Sequence, residues 1–414
     1  MPSPALTHPT LAHDRDAPKT VHFAPAVIHS RWPTHDEDEI AAVVDVLRSG
    51  RVNALCHGDR CRTFEQSFAA MCAMPHALSV SNGTVALELA LRVLGIDAGD
   101  EVIVTARSFV ASASCVITCG AKPVFADVDP VSQNLTAQSI AAVLTPRTRA
   151  IIVVHLGGFP AAMDEIMVLA EAYGLKVIED CAQAHGARFH GQPVGSFGDV
   201  AAFSFCTDKI MSTGGEGGML VLRTRAQWEK AWSLSNHGKD FTKAHLPGGG
   251  AFRWIHDDFG SNCRMTEMQA AIGSIQLAKL PGWTATRRRN AGILLETLGG
   301  LLNLRLVQPP GECDHAYYAF YAFTPTDPPH SAAFRDRIVA QMNDAGMPCQ
   351  SGSCPEIYRE QAFLAAGHTP KQSLPIARQL GQTSIKLPVD QTLAPREMQE
   401  IGRTLAGILK AECE

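Results

Sequence analysis

Short apolar runs alternate with helix-length segments between about residues 78 and 225. The runs are rich in β-branched residues, and the segments between them repeat apolar positions at helical spacing. The predicted strands are Val102–Thr105, Pro123–Val128, Ala150–Val154, Lys176–Glu179, Val200–Phe205 and Met219–Leu222. The predicted helices are Thr84–Leu94, Phe109–Cys119, Ala137–Leu144, Met163–Tyr173 and Ala226–Leu234. This alternation predicts an α/β fold, with a mostly parallel sheet flanked by helices.

The segments before this region show weaker patterns. Residues 1–25 are polar and proline-bearing without periodicity, which predicts a mobile N-terminal tail. Helical spacing begins near Asp36 and ends at Gly50, a residue typical of helix ends. Residues 51–63 are predicted to form a loop.

The C-terminal third changes character. From about residue 265 the pattern is helical and leads to the basic run Arg287–Arg289, which we expect on a solvated helix face. Beyond about residue 310, one predicted strand (Ala319–Phe323) mixes with helices (Ser331–Ala345 and Pro395–Leu409). We therefore predict a large domain over residues 26–290 and a smaller α+β domain over residues 291–414.

Composition narrows the possible functions. The chain has 414 residues, 46% hydrophobic and 19% charged, with a formal net charge of −5 and no basic block, which argues against a nucleic-acid partner. Its 12 cysteines form no Cys-x-x-Cys pair, and no Cys/His cluster has zinc-like spacing, so we predict free thiols and no metal site. No apolar stretch approaches the roughly 18 residues that span a bilayer. We expect a cytoplasmic protein without a membrane partner.

The first candidate for chemistry is the turn Ser81–Thr84 ahead of a predicted helix. Gly83 lets the backbone approach a ligand closely, and Thr84 can cap the helix. The free amides and the dipole at a helix N-terminus favour an anion. The same residues would also form an ordinary turn and cap.

The second candidate is a carboxylate, Asp180, at the end of a predicted apolar strand. Ligands of parallel α/β sheets bind at the carboxyl ends of strands. An anion there would keep a pyridine nitrogen protonated, so that the ring accepts electrons. A helix-capping aspartate is the alternative.

The third candidate is Lys209, which follows a predicted buried strand and precedes the glycine-rich run Gly214–Gly218. A buried lysine loses its proton more readily, which suits a covalent link to a carbonyl group. Ser204, at the end of the same strand, could reach a phosphate. The run is not a Walker loop, because no Gly-Lys-Ser/Thr follows it. A surface lysine is the alternative.

Together these segments resemble the DegT/DnrJ/EryC1/StrS family of sugar aminotransferases, which depend on pyridoxal 5'-phosphate (PLP). The resemblance extends from about residue 30 to 410. The further segments that carry it are Asp100–Val104, Ser108-Phe109, Gly120–Phe125, Glu179–Gly186, Asn236–Gly238 and Asn262–Met265.

The resemblance implies a fold-type I, aspartate-aminotransferase-like fold and a homodimer. It implies that Lys209 bonds to the cofactor and carries the proton during transfer, while Asp180 pairs with the pyridinium nitrogen. Asn262 would reach the phosphate in the neighbouring subunit, so the active sites would be shared.

The resemblance also implies the remaining cofactor contacts. Gln183 would lie close to the ring, and Phe109 would stack on it. Gly83, Thr84 and Ser204 would hold the phosphate. The amino donor of such enzymes is commonly glutamate or glutamine, and the acceptor a keto-sugar, often nucleotide-linked, in polysaccharide or related sugar biosynthesis.

One departure and two alternatives affect this prediction. Relatives often carry His-Pro-Thr where this chain has Cys206-Thr207-Asp208. Relatives that remove a hydroxyl group have histidine in the position of Lys209, so transamination is favoured here. A PLP-dependent keto-sugar dehydratase or epimerase, and a non-catalytic regulator on the same fold, are the alternatives.

Overall fold

The central element is a mostly parallel β-sheet. The computed structural model describes residues 27–246, 253–326 and 332–412, so the predicted tail at residues 1–25 lies outside the described residues. Within these ranges, seven strands form the sheet in the order β1-β9-β8-β5-β4-β2-β3. They are β1 His76–Val80, β2 Glu101–Thr105, β3 Lys122–Ala126, β4 Thr148–Val154, β5 Lys176–Asp180, β8 Val200–Ser204 and β9 Gly218–Leu222. β9 is antiparallel to both of its neighbours, and the other pairs are parallel.

Helices flank this sheet and continue beyond it. Those of the first two thirds are α1 Glu37–Ser49, α2 Asp59–Met71, α3 Gly83–Val93, α4 Ala111–Thr118, α5 Ala137–Ala141, α6 Met163–Tyr173, α7 Arg225–Ser235, α8 Phe241–His245 and α9 Glu267–Leu298. The remaining ones are α10 Ala332–Asp344, α11 Gln361–Ala365, α12 Pro375–Thr383 and α13 Pro395–Ala411. The predicted α/β class, with helices around a mostly parallel sheet, is therefore confirmed.

The sheet strands are buried on both faces. Val102, Ile103 and Val104 of β2 are fully buried, as are the inner residues of β4 and β8. Ile103 contributes to a different hydrophobic cluster from its two neighbours, because successive side chains point to opposite sides of the sheet. This explains why the strands appear in the sequence as continuous apolar runs.

A smaller sheet occupies the C-terminal region, in the order β10-β12-β13. Its strands are β10 Arg305–Leu306, β12 Phe320–Phe323 and β13 Ser384–Leu387. It shares a hydrophobic cluster with α10, α13 and the end of α9. The third sheet joins β6 Arg188–Phe189, β7 Gln192–Pro193 and β11 Cys313–Asp314. Residue 290, where the boundary between the two domains was predicted, lies inside α9. The division into two domains stays a prediction.

The predicted loop at residues 51–63 is wrong in its last part, because α2 begins at Asp59. The residue before the helix is Gly58, in a left-handed conformation (φ 64°) and without a side-chain cap, so the usual start signal is missing. Cys61, Phe64 and Phe68 are buried at helical spacing. This tertiary burial stabilises the helix.

The basic run Arg287–Arg289 is not a solvated face. Arg287 is buried, with its Nε donating to Gln391 Oε1 (2.9 Å) and an Nη to the Tyr317 carbonyl (3.1 Å). Consecutive helical residues point about 100° apart, so three in a row do not share one face. The buried guanidinium instead joins α9 to the C-terminal region. Among the described residues, no helix is long and apolar enough to cross a bilayer.

Candidate active site

The candidate site lies at the edge of the central sheet where the parallel strands end. Asp180 is the last residue of β5, Ser204 is the last residue of β8, and Asn82 follows β1. A cavity of about 790 Å³ opens there. It is lined by these predicted site residues: Gly83, Thr84, Phe109, Asp180, Gln183, Ser204 and Lys209. The fold thus brings together side chains that are far apart in sequence.

Asp180 is the buried carboxylate of this cavity. Its Oδ2 accepts a hydrogen bond from Ser112 Oγ (2.7 Å) and its Oδ1 one from the Ala182 amide (3.2 Å). Burial raises the pKa of Asp180, although the Ser112 and Ala182 bonds and the charge of Lys209 act in the opposite direction. A buried carboxylate with few donors favours a cation beside it.

Lys209 lies in the same cavity, five residues beyond the end of β8. Its side chain is 13% exposed, and its Nζ lies 3.3 Å from Asp208 Oδ2. The Tyr318 ring lies beside it, with its centroid 5.3 Å from Nζ, and the Tyr318 hydroxyl donates to Asp208. Trp32 Nε1 donates to the Lys209 carbonyl (2.8 Å), which fixes the backbone of the lysine. The primary amine is thus held in place and faces the cavity.

The N-terminus of α3 forms one wall. The predicted cap is wrong: Asn82, not Thr84, caps the helix, because its Oδ1 accepts from the Val85 amide (2.9 Å). Thr84 is instead in the first turn, where backbone amides have no partner within the helix. Gly83 lies against β8, so that an added Cβ would come within 2.7 Å of Ser204 Cβ. Only glycine brings the two segments this close.

Gln183 and Phe109 line the cavity in different environments. Gln183 is buried, and its Oε1 accepts from the Gly157 amide (2.7 Å), so its position is fixed. Phe109 is 63% exposed and precedes α4, which begins two residues later than predicted. Its ring is therefore free to pack on a ligand.

Asn262 does not line the cavity of its own chain. It is exposed and lies in a loop that pairs with Asn236 at the end of α7. The family resemblance implied that it reaches the site of a neighbouring subunit, and this stays a prediction.

Several residues of the cavity were missed by the sequence prediction. Among them are Ser112 on α4, Tyr318 before β12 and Lys386 on β13. Ser112 is four residues after Ser108, and their hydroxyl oxygens are 3.0 Å apart, so this spacing was a usable signal. Tyr318 and Lys386 are more than a hundred residues from Lys209, and no local pattern marks them.

Comparison with known proteins agrees with this geometry. A model of the DegT/DnrJ/EryC1/StrS aminotransferase family matches residues 33–406. The chain is 37% identical over 354 residues to a UDP-N-acetyl-3-dehydro-alpha-D-glucosamine 3-aminotransferase of Acidithiobacillus ferrooxidans, an alignment covering 84% of this chain and 90% of that protein. It is 35% identical over 350 residues to a dTDP-3-amino-3,4,6-trideoxy-alpha-D-glucose transaminase of Streptomyces venezuelae, covering 84% and 86%.

A solved structure gives the same result. The aminotransferase from Psychrobacter cryohalolentis superimposes with a TM-score of 0.89 at 44% identity, covering 93% of this chain and all of that chain. The family match covers most of the sequence, and both relatives align over more than two thirds of their length. The chain therefore belongs to the DegT/DnrJ/EryC1/StrS aminotransferase family.

Proposed function

We propose that this aminotransferase uses PLP on Lys209 to move an amino group from glutamate or glutamine to a nucleotide-linked keto-sugar. The observation that carries the proposal is that Asp180 and Lys209 line one cavity, next to the N-terminus of α3. A carboxylate, an amine and an anion site in one cavity are the groups that a phosphorylated pyridine aldehyde needs.

The residues present fit this cofactor. Asp180 is buried with a raised pKa, and the positive charge of a protonated ring nitrogen beside it would stabilise its carboxylate. The close approach of Gly83 to Ser204 leaves backbone amides and a hydroxyl at the helix N-terminus, a suitable place for a phosphate. Phe109 offers an exposed ring that could cover the face of a pyridine.

The residues then divide the chemistry between them. When bound, the pyridine ring accepts electron density from the carbon that loses its proton. Lys209 Nζ would provide the amine that holds the cofactor and would also accept and return the proton during transfer. Asp180 would favour the protonated form of the ring nitrogen, and Gln183 and Phe109 would hold the cofactor in position.

The acceptor is proposed from the relatives. Both named relatives carry a nucleotide-linked amino sugar or keto-sugar in their names. The cavity volume of about 790 Å³ is within the usual range of small-molecule sites. We propose that the nucleotide lies towards the open side of the cavity and the keto group near Lys209.

A homodimer with shared sites is part of the proposal. The loop of Asn262 is exposed, and the side chain of the nearby Phe259 is 92% exposed. A contact with a second chain would bury this apolar ring. We propose that a second copy covers this loop and receives Asn262 in its phosphate site.

The alternatives fit less well. A regulator without activity needs neither a buried carboxylate nor a lysine positioned by Trp32 and Tyr318. A dehydratase or epimerase would keep the cofactor but would not exchange amino groups with glutamate. The histidine of relatives that remove a hydroxyl group is absent here, since the position is Lys209.

The experiment begins with the purified protein and added PLP. We expect a visible absorbance band that L-glutamate removes, and borohydride treatment should fix the cofactor on Lys209, as mass spectrometry of the peptides would show. Lys209→Ala should lose the band and turnover, whereas Lys410→Ala, on the exposed end of α13, should retain both. A wild-type protein that binds no PLP would disprove the proposal.

A further inference from the structure

The Tyr318 ring lies beside two ammonium groups in the cavity. Lys209 Nζ is 5.3 Å from the ring centroid, and Lys386 Nζ is 5.1 Å from it. Both lysines line the cavity. Because both nitrogens lie so close to one ring, a single small substrate can reach both.

The strand geometry directs Lys386 into the cavity. It lies in the middle of β13, between Ile385 and Leu387, which are fully buried. Side chains alternate along a strand, so Lys386 points away from the hydrophobic cluster that holds its neighbours. Its backbone is fixed by two hydrogen bonds with Gln350, of 3.0 and 2.7 Å.

The charge of Lys386 is not neutralised by the protein. Its Nζ donates to the neutral Gln350 Oε1 (3.2 Å), and in the described part of the chain it forms no ion pair. Lys209, in contrast, faces Asp208, and Lys279 faces three carboxylates. An ammonium group has three donors, so Lys386 retains donors for a ligand.

The cavity contains more carboxylate groups than ammonium groups, and the Lys386 ammonium is one of the few cations in it. The cavity is lined by four carboxylate side chains, those of Glu88, Asp180, Asp208 and Glu216. Among the described lining residues, the ammonium groups are those of Lys209 and Lys386, and no arginine lines it. Once Lys209 is committed to the cofactor, Lys386 is the cation that this chain leaves for an anionic substrate.

We infer that Lys386, held by Gln350 and lying beside the Tyr318 ring, forms the subsite that binds an oxyanion of the substrate. The subsite rests on the proposed function, and it defines what that site recognises. Two sources share this chemistry, the carboxylate of the amino donor and a phosphate of the acceptor. A partly desolvated lysine beside an aromatic ring binds either one through charge-assisted hydrogen bonds.

The test compares Lys386→Met, Lys386→Arg and the exposed control Lys410→Met in the PLP-loaded protein. One arm titrates each with L-glutamate and L-glutamine and follows loss of the visible band. A second arm titrates the aminated form with nucleotide-linked keto-sugars and follows the return of the visible band. A third measures calorimetric binding of succinate and of inorganic phosphate, which do not react.

We expect Lys386→Met to lower the apparent affinity in at least one arm about tenfold or more, the usual effect of losing a charged hydrogen bond. Lys386→Arg should retain most of the wild-type affinity. Weakening of the glutamate and succinate titrations assigns the subsite to the donor carboxylate, and weakening of the keto-sugar and phosphate titrations assigns it to the acceptor. Constants for Lys386→Met that equal those of Lys410→Met in every arm would overturn the inference.

This design separates the two proposals. Absence of the visible band in the wild type would contradict the proposed function and leave no donor titration to compare. A normal wild-type band with an unaffected Lys386→Met contradicts the subsite alone. Lys386→Arg keeps the positive charge. If it lost as much binding as Lys386→Met, the loss would come from disturbed packing of β13, and this would count against the subsite.

Discussion

Glu179 and Asp180 are adjacent carboxylates with different environments. Glu179 accepts from the amides of Gly195, Phe197 and Gly198 at 2.7 to 2.8 Å, so its negative charge is saturated by donors. Asp180 has two donors and a raised pKa. The difference explains why one carboxylate ties down a loop and the other remains available to a cationic ligand.

The first prediction concerns Asp180→Asn. We expect turnover to fall at least about a hundredfold, because a neutral amide does not hold the ring nitrogen protonated. Kinetics with glutamate would measure this loss. Ser112→Ala, which removes one donor to the carboxylate, should have a smaller effect in the same assay.

The same substitution should not destabilise the cofactor-free protein. Burial raises the pKa of Asp180 above its ordinary value of 3.8, so the aspartate favours folding at low pH and loses that contribution as pH rises through the raised pKa. Asparagine does not ionise. At pH 7 we expect a thermal midpoint equal to or above that of the wild type, and a clearly lower one would contradict the account.

The second prediction concerns Gly83→Ala. The new Cβ would lie 2.7 Å from Ser204 Cβ, so α3 and β8 must separate. We expect PLP affinity to fall about tenfold or more, comparable to losing one charged hydrogen bond to the phosphate. Equilibrium titration would measure it. Gly292→Ala in α9, where the new Cβ meets nothing within 4 Å, should leave PLP affinity unchanged.

At the scale of elements, the local sequence pattern predicted those strands best whose residues are buried on both faces of the sheet. The predicted strands Lys176–Glu179 and Met219–Leu222 match the observed ones to within one residue, because the buried positions of each strand include a short apolar run. β1 was missed, since it pairs with β9, far away in the sequence. α2 was not predicted, and its first residues were assigned to a loop, since its N-terminus lacks a capping side chain.

The third prediction concerns the contact between α2 and β1. Glu65 Oε1 accepts from the Ser79 amide (2.9 Å) and hydroxyl (2.7 Å), and burial raises the pKa of Glu65 to about 7. The folded protein therefore keeps a proton that the unfolded chain loses near 4.5. This contribution to stability is complete below 4.5 and is lost as pH rises through about 7.

Glu65→Gln should flatten this part of the pH profile. Relative to the variant, the wild type should lose on the order of 3 kcal/mol at most between pH 4.5 and 8. Thermal midpoints over that range would measure the difference. The exposed Glu37→Gln serves as the control, and parallel profiles for the wild type and Glu65→Gln would contradict the assignment.

At the scale of the whole molecule, the fourth prediction concerns the shared sites of the proposed dimer. Lys209→Ala and Asn262→Ala should each be impaired when expressed alone. In a mixed dimer one site has both defects, and the other has an intact Lys209 and receives an intact Asn262. Random mixing should therefore restore about a quarter of wild-type activity, measured on co-expressed, purified protein. No recovery above the single variants would place both residues in the same subunit's site.

The sequence by itself determined the α/β class, the positions of most sheet strands along the chain and the candidates Asp180, Ser204 and Lys209 at or beyond strand ends. The class and the strands follow from periodicity, which is a local property of the sequence. The site candidates follow from the rule that ligands bind where parallel strands end, which holds for parallel sheets in general. The family resemblance supplied the roles of these residues, which no spacing alone could give.

Only the tertiary structure decided which residues surround the lysine. Tyr318 and Lys386 border the cavity of Lys209, although both are more than a hundred residues away from it in the sequence. The environment of a side chain depends on such distant contacts. The burial of Arg287 was decided in the same way, since its guanidinium bonds to Gln391 and to the Tyr317 carbonyl. A pattern of residue types records what an element can bury, whereas the neighbours that it meets depend on how the whole chain packs.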